Sequence, residues 1–215
     1  MRIFIINPNS DLEMTEVIQR TAENFSEGEF EVLCKPTPGA PLIIETCEDE
    51  MAAAAGMMNL VRENEDTCDA FVIACHCDPN MDILKSMTSK PVVGIGEASM
   101  RAACRLGRRF SIIQTTEESI PIKEALVRKY RFQDALASIR APKQGHREKD
   151  EVEKYLDVAR SAKEKDRADV IVLGCAGLTG MDKSLQEKLG IPVLDGVVCG
   201  LKMVLGLVSS ADPCV

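Results

Sequence analysis

The chain writes one phrase twice. "DAFVIAC" runs from Asp69 to Cys75, and "DVIVLGC" runs from Asp169 to Cys175. Each is an acid, four apolar residues, a small residue and a thiol. The echo extends further: "RIFIINPNS" (Arg2 to Ser10) aligns with "RFSIIQTTE" (Arg109 to Glu117), each an apolar run that breaks into a polar turn. "KPVVGIGEASM" follows the first cysteine at nearly the distance at which "IPVLDGVVCGL" follows the second. Each half therefore reads strand, turn, helix, then strand and cysteine, then a Pro-led strand.

The strands are short, apolar on both faces and rich in Ile and Val, the pattern of a parallel sheet covered on both sides. Helical periodicity fills the gaps. "SDLEMTEVIQRTAENF" opens on a capping box, Ser10 and Glu13, and carries Met14, Val17, Ile18 and Thr21 at helical spacing. "DEVEKYLDVARSAKEK" does the same with Val152, Tyr155, Leu156 and Ala159, and "EASMRAACRLG" ends at Gly107. Alternating strands and helices predict an α/β protein of two pseudo-symmetric, Rossmann-like lobes with parallel sheets and the active site in the cleft between them. The expected lobes are 1–96, completed by a returning segment 195–215, and 97–194. "APKQGHREKD" (Ala141 to Asp150) reads as an exposed loop.

Composition narrows the partners. A net charge of −8 with no basic run argues against nucleic acid or an anionic membrane, and the absence of Trp with only 2 Tyr argues against base stacking. "GVVCGLKMVLGLV" is short and carries Lys202, so it does not span a bilayer. The opening "MRIFIINPNS" is too short an apolar run for a signal peptide, so the nine cysteines are expected as reduced thiols in the cytoplasm.

Most of those cysteines suit the role of small core residues. Cys75 and Cys175 differ because they end equivalent strands, and in parallel α/β sheets ligands bind beyond the carboxyl ends of strands. With the lobes related by a pseudo-twofold axis, each contributes one thiol to a shared cleft. Two opposed thiols suit racemisation: one thiolate removes a proton from a carbon acid and the other thiol returns a proton to the opposite face. Helix N-termini beyond each cysteine lower thiol pKa values, and backbone N–H groups there, next to His76, Ala176 and Gly177, can hold a developing enolate oxygen.

At these residues the chain resembles the aspartate/glutamate racemase superfamily, and within it the hydantoin and allantoin racemase branch. The resemblance runs nearly end to end through "INPNS", "VIACHCDP", "PVVGIGEASM", "LGRRFSII", "VLGCAGL" and "IPVLDGV". It implies a cofactor-independent, metal-free enzyme with a small-molecule substrate, expected as a homo-oligomer, with Cys75 and Cys175 as the acid–base pair. It implies that Asn7, Thr115 and Thr116 hold the substrate's polar edge and that a loop around Ile44 and Glu45 helps close the pocket. One departure stands out: where the branch commonly has an aromatic, a small residue and, further on, a glycine, this chain has His76, Cys77 and Asn80.

Other readings compete. "CHC" suggests a metal site, although adjacent residues rarely converge on one ion. Cys75 and Cys77 suggest a redox switch. "GIGEAS" (Gly94 to Ser99) lacks the third glycine of a dinucleotide fingerprint. Within the superfamily the rival is a racemase of free aspartate or glutamate, which needs a cation for the α-carboxylate. A decarboxylase would need only one thiol. His76 is expected at the pocket lip, and Cys77, whose counterpart is Gly177, is expected to matter little.

Overall fold

The computed structural model describes residues 1–142 and 151–211, so most of the expected loop 141–150 lies outside the described residues. The eight strands are β1 (Arg2–Asn7), β2 (Glu31–Pro36), β3 (Ala70–Ile73), β4 (Val92–Gly94), β5 (Phe110–Ile113), β6 (Leu136–Arg140), β7 (Val170–Leu173) and β8 (Val193–Leu194). The helices are α1 (Leu12–Ser26), α2 (Cys47–Asn64), α3 (Met81–Met87), α4 (Ile95–Leu106), α5 (Ile120–Lys129), α6 (Glu151–Lys165), α7 (Asp182–Leu189) and α8 (Gly196–Ala211). Two four-stranded sheets result, in the orders β2-β1-β3-β4 and β6-β5-β7-β8, and every pairing is parallel. The α/β architecture and the duplication are as the sequence predicts.

Period-two alternation sorts each sheet's side chains between two cores. Ile3, Ile5 and Val72 pack with Ile18 and Ala22 of α1, whereas Phe4, Ile6, Phe71 and Ile73 pack with Met57, Leu60 and Val61 of α2. In the second sheet Phe110, Ile112, Val170 and Val172 meet one side, and Ile113, Ile171 and Leu173 meet Tyr155, Leu156 and Ala159 of α6. Burial of such a side chain contributes about 1.5–3 kcal/mol.

The halves exchange helices. α4 follows β4, yet its Met100 and Ala103 pack on Phe110 and Val172 of the second sheet. α8 follows β8, yet Val197, Leu201 and Val204 pack on the first sheet. The helices cross where Gly200 brings its backbone against Ile95 and Val72.

The repeated acids are clamps. Asp69 accepts a hydrogen bond from the Arg2 backbone N–H (2.6 Å), and Asp169 accepts from those of Arg108 and Arg109 (3.0 and 3.1 Å). Each ties the start of the cysteine-bearing strand to the start of its neighbour.

One local expectation shifts. α1 is capped by Asp11, whose carboxylate accepts from the Met14 N–H at 3.0 Å, rather than by Ser10. The Ser10 N–H is drawn away to Pro41 O (3.0 Å), and Asn9 Oδ1 accepts the Asp11 N–H, which moves the helix start on by one residue. α2 has its own capping box, Thr46 with Asp49.

Candidate active site

In each sheet the chain leaves the first strand to one side and returns on the other. The switch point lies between β1 and β3, and between β5 and β7. Ligands bind outside strand ends at such points. Asn7 and Cys75 end one pair, Gln114 and Cys175 the other, and all four line a single pocket. The backbone repeats closely there. The Ala74 N–H donates to Ile6 O and the Gly174 N–H to Ile113 O, both at 2.8 Å. One turn on, the Asp78 N–H donates to Cys75 O and the Leu178 N–H to Cys175 O, both at 3.0 Å.

A carboxylate then fixes each thiol loop to the helix that crosses between the halves. Asp78, in the first loop, accepts from the Gly96 and Glu97 N–H groups at the N-terminus of α4, at 2.8 and 2.7 Å. In the second half the carboxylate comes from the helix side: Asp195 accepts from the Val197 N–H (2.8 Å), from Thr179 Oγ1 (2.5 Å) and from the Gly180 N–H (2.8 Å). The position facing Asp78 is Gly94, where an added Cβ would lie 2.3 Å from the Asp78 carboxyl carbon. One carboxylate space is thus filled from opposite ends of the same motif. The first loop also holds Asp78 at φ 49° and Asn80 at φ 60°. Left-handed backbone favours Gly and next Asn or Asp, which suits both residues to this turn.

The residues expected at the site divide. Cys75, Cys175, Asn7, Ile44, Glu45, His76, Thr115 and Ala176 line the pocket. Thr116 and Gly177 stand behind it. Thr116 Oγ1 donates to Glu45 Oε1 (3.1 Å), a bond that joins the 38–46 loop to the second half. The Gly177 N–H points to Cys175 Sγ at 3.4 Å, and Thr115 lines the pocket on the same side, where it helps the Cys175 thiol ionise. Asn7 is spent on its own turn: its amide nitrogen donates to Asn9 Oδ1 (2.6 Å), Thr15 Oγ1 (2.9 Å) and Asp11 O (3.3 Å). His76 is fully buried rather than at the lip, and its Nε2 lies 3.1 Å from Ser99 Oγ on α4. Burial, then Lys123, keep its imidazole well below the usual histidine range.

Sequence reasoning passed over two residues. Gln114 is the repeat's counterpart of Asn7. Its Nε2 donates to Gly174 O at 2.8 Å, and it accepts from Ser119 Oγ at 3.3 Å. Lys123 is buried at 2% exposure, and its Nζ donates to Cys77 Sγ at 3.1 Å. The spacing Ser119, Lys123, Leu126, Val127 on the apolar face of α5 was the available signal. Cys77 therefore has a partner that the repeat does not supply.

The electrostatics follow from burial and this ammonium. A hydrogen bond to Cys77, then burial, pushes the Cys75 thiol well up; burial also raises Cys175 against the pull of the Gly177 N–H and Lys123. Cys77 goes the other way: the bond from Cys75 and, against the penalty of burial, Lys123 hold it at about 6. His76 turns to Ser99 and Cys77 to Lys123, so "CHC" does not converge. Among the described residues no three His, Cys, Asp or Glu side chains are grouped to hold a metal. No helix among them is long and apolar enough to cross a membrane.

Comparison with known proteins identifies the family and the fold. The chain is 36% identical to a hydantoin racemase of Pseudomonas sp. (strain NS671) over 208 residues, covering 94% of this chain and 84% of that protein. It superposes on an allantoin racemase from Klebsiella pneumoniae with a TM-score of 0.91 at 33% identity, covering 98% of this chain and 88% of the other. An allantoin racemase from Pseudomonas fluorescens gives 0.90 at 27% identity, covering 98% and 92%. Residues 3–204 match the Asp/Glu/Hydantoin racemase family. The chain belongs to that family and is an isomerase, a racemase.

Proposed function

We propose that this protein is a cofactor-independent racemase that inverts the C5 stereocentre of a hydantoin-type substrate, a 5-substituted hydantoin or allantoin, by proton transfer between Cys75 and Cys175. One observation carries the proposal: thiols at corresponding strand ends of a duplicated fold line a single pocket from two sheets. The halves that close on it are 1–96 with 195–215, and 97–194. The names of the related racemases support the substrate class.

The chemistry needs a carbon acid beside a carbonyl. One cysteine, as thiolate, removes the C5 proton, and the negative charge spreads onto the neighbouring carbonyl oxygen. The other thiol delivers a proton to the opposite face, and the roles exchange with the hand of the substrate. Backbone N–H groups beyond the thiols stabilise the developing charge. The lining of Pro8, Met14, Ile43 and Ile44 excludes water around the reacting carbon. Thr116 and Glu45 hold the loop that carries Ile43 and Ile44 across the mouth. The enzyme acts on a free small molecule in the cytosol, where reduced thiols persist, as a homo-oligomer.

A free acidic amino acid would need a cation for its α-carboxylate. Lys123 is the one Lys or Arg lining the pocket among the described residues, and its ammonium is engaged with Cys77. Solvent deuterium exchange at the stereocentre, followed across 5-substituted hydantoins, allantoin, aspartate and glutamate, tests the assignment. Exchange and loss of optical rotation are expected in the hydantoin class. Turnover of aspartate or glutamate alone would move the assignment to free acids, and exchange with none of them would overturn it.

A further inference from the structure

Cys77 stands outside the repeat, opposite Gly177, and is 6% exposed. Its sulfur accepts from Lys123 Nζ at 3.1 Å, and it shares the pocket wall with Cys75, two residues back on the same loop, whose thiol interacts with it electrostatically. Among the described residues, the hydrogen bond of the Lys123 ammonium is to this sulfur. A buried ammonium is costly without a counter-charge, and so is a buried thiolate. A neutral thiol is a poor acceptor for the first, whereas a thiolate answers both. Lys123 itself lines the pocket, and its charge reaches Cys175 on the far side.

We propose that Lys123 is the counter-ion of the reaction: it holds a single negative charge among the three pocket sulfurs, at rest on Cys77, and Cys77 stores the proton that Cys75 must lose before it acts as a base. The proposal rests on the two-thiol reading above. At rest Cys77 is the thiolate, and Cys75 and Cys175 carry protons. The Cys75 proton passes to Cys77, its neighbour on the same loop. Cys75 thiolate then takes the proton from C5, and Cys175 gives its proton to the opposite face. Thiols now stand at 75 and 77 and the thiolate at 175. Two protons are shared by three sulfurs before and after, and the substrate has lost one proton and gained one. Cys175 is then ready for the other hand of the substrate, or is reset when a proton passes from Cys77 to Cys175 through solvent. The charge never leaves the field of Lys123, which acts through the thiols as a positioning residue.

The surroundings agree. Burial alone would lower the Lys123 pKa, yet the charges of Cys77 and Cys75 outweigh it and the pKa rises. Glu45 in the 38–46 loop and Glu50 on α2 also face Cys77 and oppose its ionisation. Glu50 yields: burial, then Cys77, push its carboxyl to about 7.

The test titrates thiolate by its ultraviolet absorbance, without substrate, in wild type, Cys77→Ser, Lys123→Met and Lys123→Arg, with circular dichroism as the fold control. One thiol should ionise near pH 6 in wild type and be missing in Cys77→Ser. Its pKa should move above neutrality in Lys123→Met and stay low in Lys123→Arg. In proton exchange with a hydantoin, the acid limb of kcat should move with the titration in Lys123→Met, with KM little changed. If Lys123→Met does not fold, Cys77→Ser and Lys123→Arg decide. A low-pKa thiolate that survives in Cys77→Ser, or is unmoved in a folded Lys123→Met, beside normal racemisation, overturns this proposal alone. The expected titration with no exchange on any hydantoin overturns the proposed function and, with it, the proton-store role.

Discussion

Gly94 is required by a carboxylate rather than by its own backbone. Its φ of −91° and ψ of 139° suit any residue. An added Cβ would lie 2.3 Å from the Asp78 carboxyl carbon and from Oδ1, and 2.6 Å from Oδ2. Gly94→Ala should therefore expel the carboxylate from the N-terminus of α4. Two buried N–H groups, Gly96 and Glu97, lose their acceptors at about 1–3 kcal/mol each, with strain beyond that. A loss of roughly 3–5 kcal/mol follows, or about 6–20 °C in Tm for a chain of this size. Asp78→Ala should cost roughly 2–4 kcal/mol through the same two N–H groups. In the double mutant the new methyl occupies vacated space, so Gly94→Ala adds nothing there, and the coupling should equal its whole cost in wild type, roughly 3–5 kcal/mol. Urea denaturation of the four proteins measures the cycle. Additive losses, or a Gly94→Ala protein as stable as wild type, would refute the account of the carboxylate space.

Other perturbations separate scaffold from site. Asn7→Ala should lower both activity and stability, the latter by roughly 2–4 kcal/mol, because it removes the buried bonds of the turn; a fully stable but inactive variant would return Asn7 to substrate binding. Thr116→Val should raise KM several-fold with little change in Tm, since it frees Glu45 and the loop across the mouth; unchanged kinetics would show that this bond does not matter for closure. Cys77 ionises at about 6 when folded against a reference thiol value of 9.0, so its contribution to stability is complete above pH 9, falls as pH drops and is gone below about 6. The wild-type urea midpoint should rise relative to Cys77→Ser between those limits, and parallel curves would contradict the assignment. Dialysis against a chelator should leave the rate unchanged, and a loss restored by one metal would revive a metal centre.

The duplication made most of the architecture legible. Strand ends, the thiol pair and the switch-point turns all follow from aligning two halves that keep one pattern of acid, apolar, polar and thiol positions while most side chains between them change. What the pattern leaves out is what breaks the symmetry. The carboxylate enters from Asp78 in one half and from Asp195 in the other, so alignment hides their equivalence. Lys123 has no partner in the repeat, and a lysine on a helix is ordinarily solvated; only its place on the apolar face of α5 marks it. Thr115 and Thr116 are adjacent, and sequence does not say which side chain lines the pocket and which turns to Glu45. α2 is faint because Ala52 to Ala55 blur its apolar stripe, while Gly56 is fixed by backbone contact, its missing Cβ lying 2.4 Å from Pro38 O.

The most direct measurement follows deuterium incorporation at C5 into each pure enantiomer of a 5-substituted hydantoin with wild type, Cys75→Ser and Cys175→Ser. A serine hydroxyl does not ionise near neutral pH, so each substitution removes the base on one face. Racemisation should collapse in both variants. Each should still exchange the proton of a single enantiomer through the remaining thiol, and the two should favour opposite hands. Normal racemisation by either variant, or the same enantiomer exchanged by both, would contradict the two-thiol account.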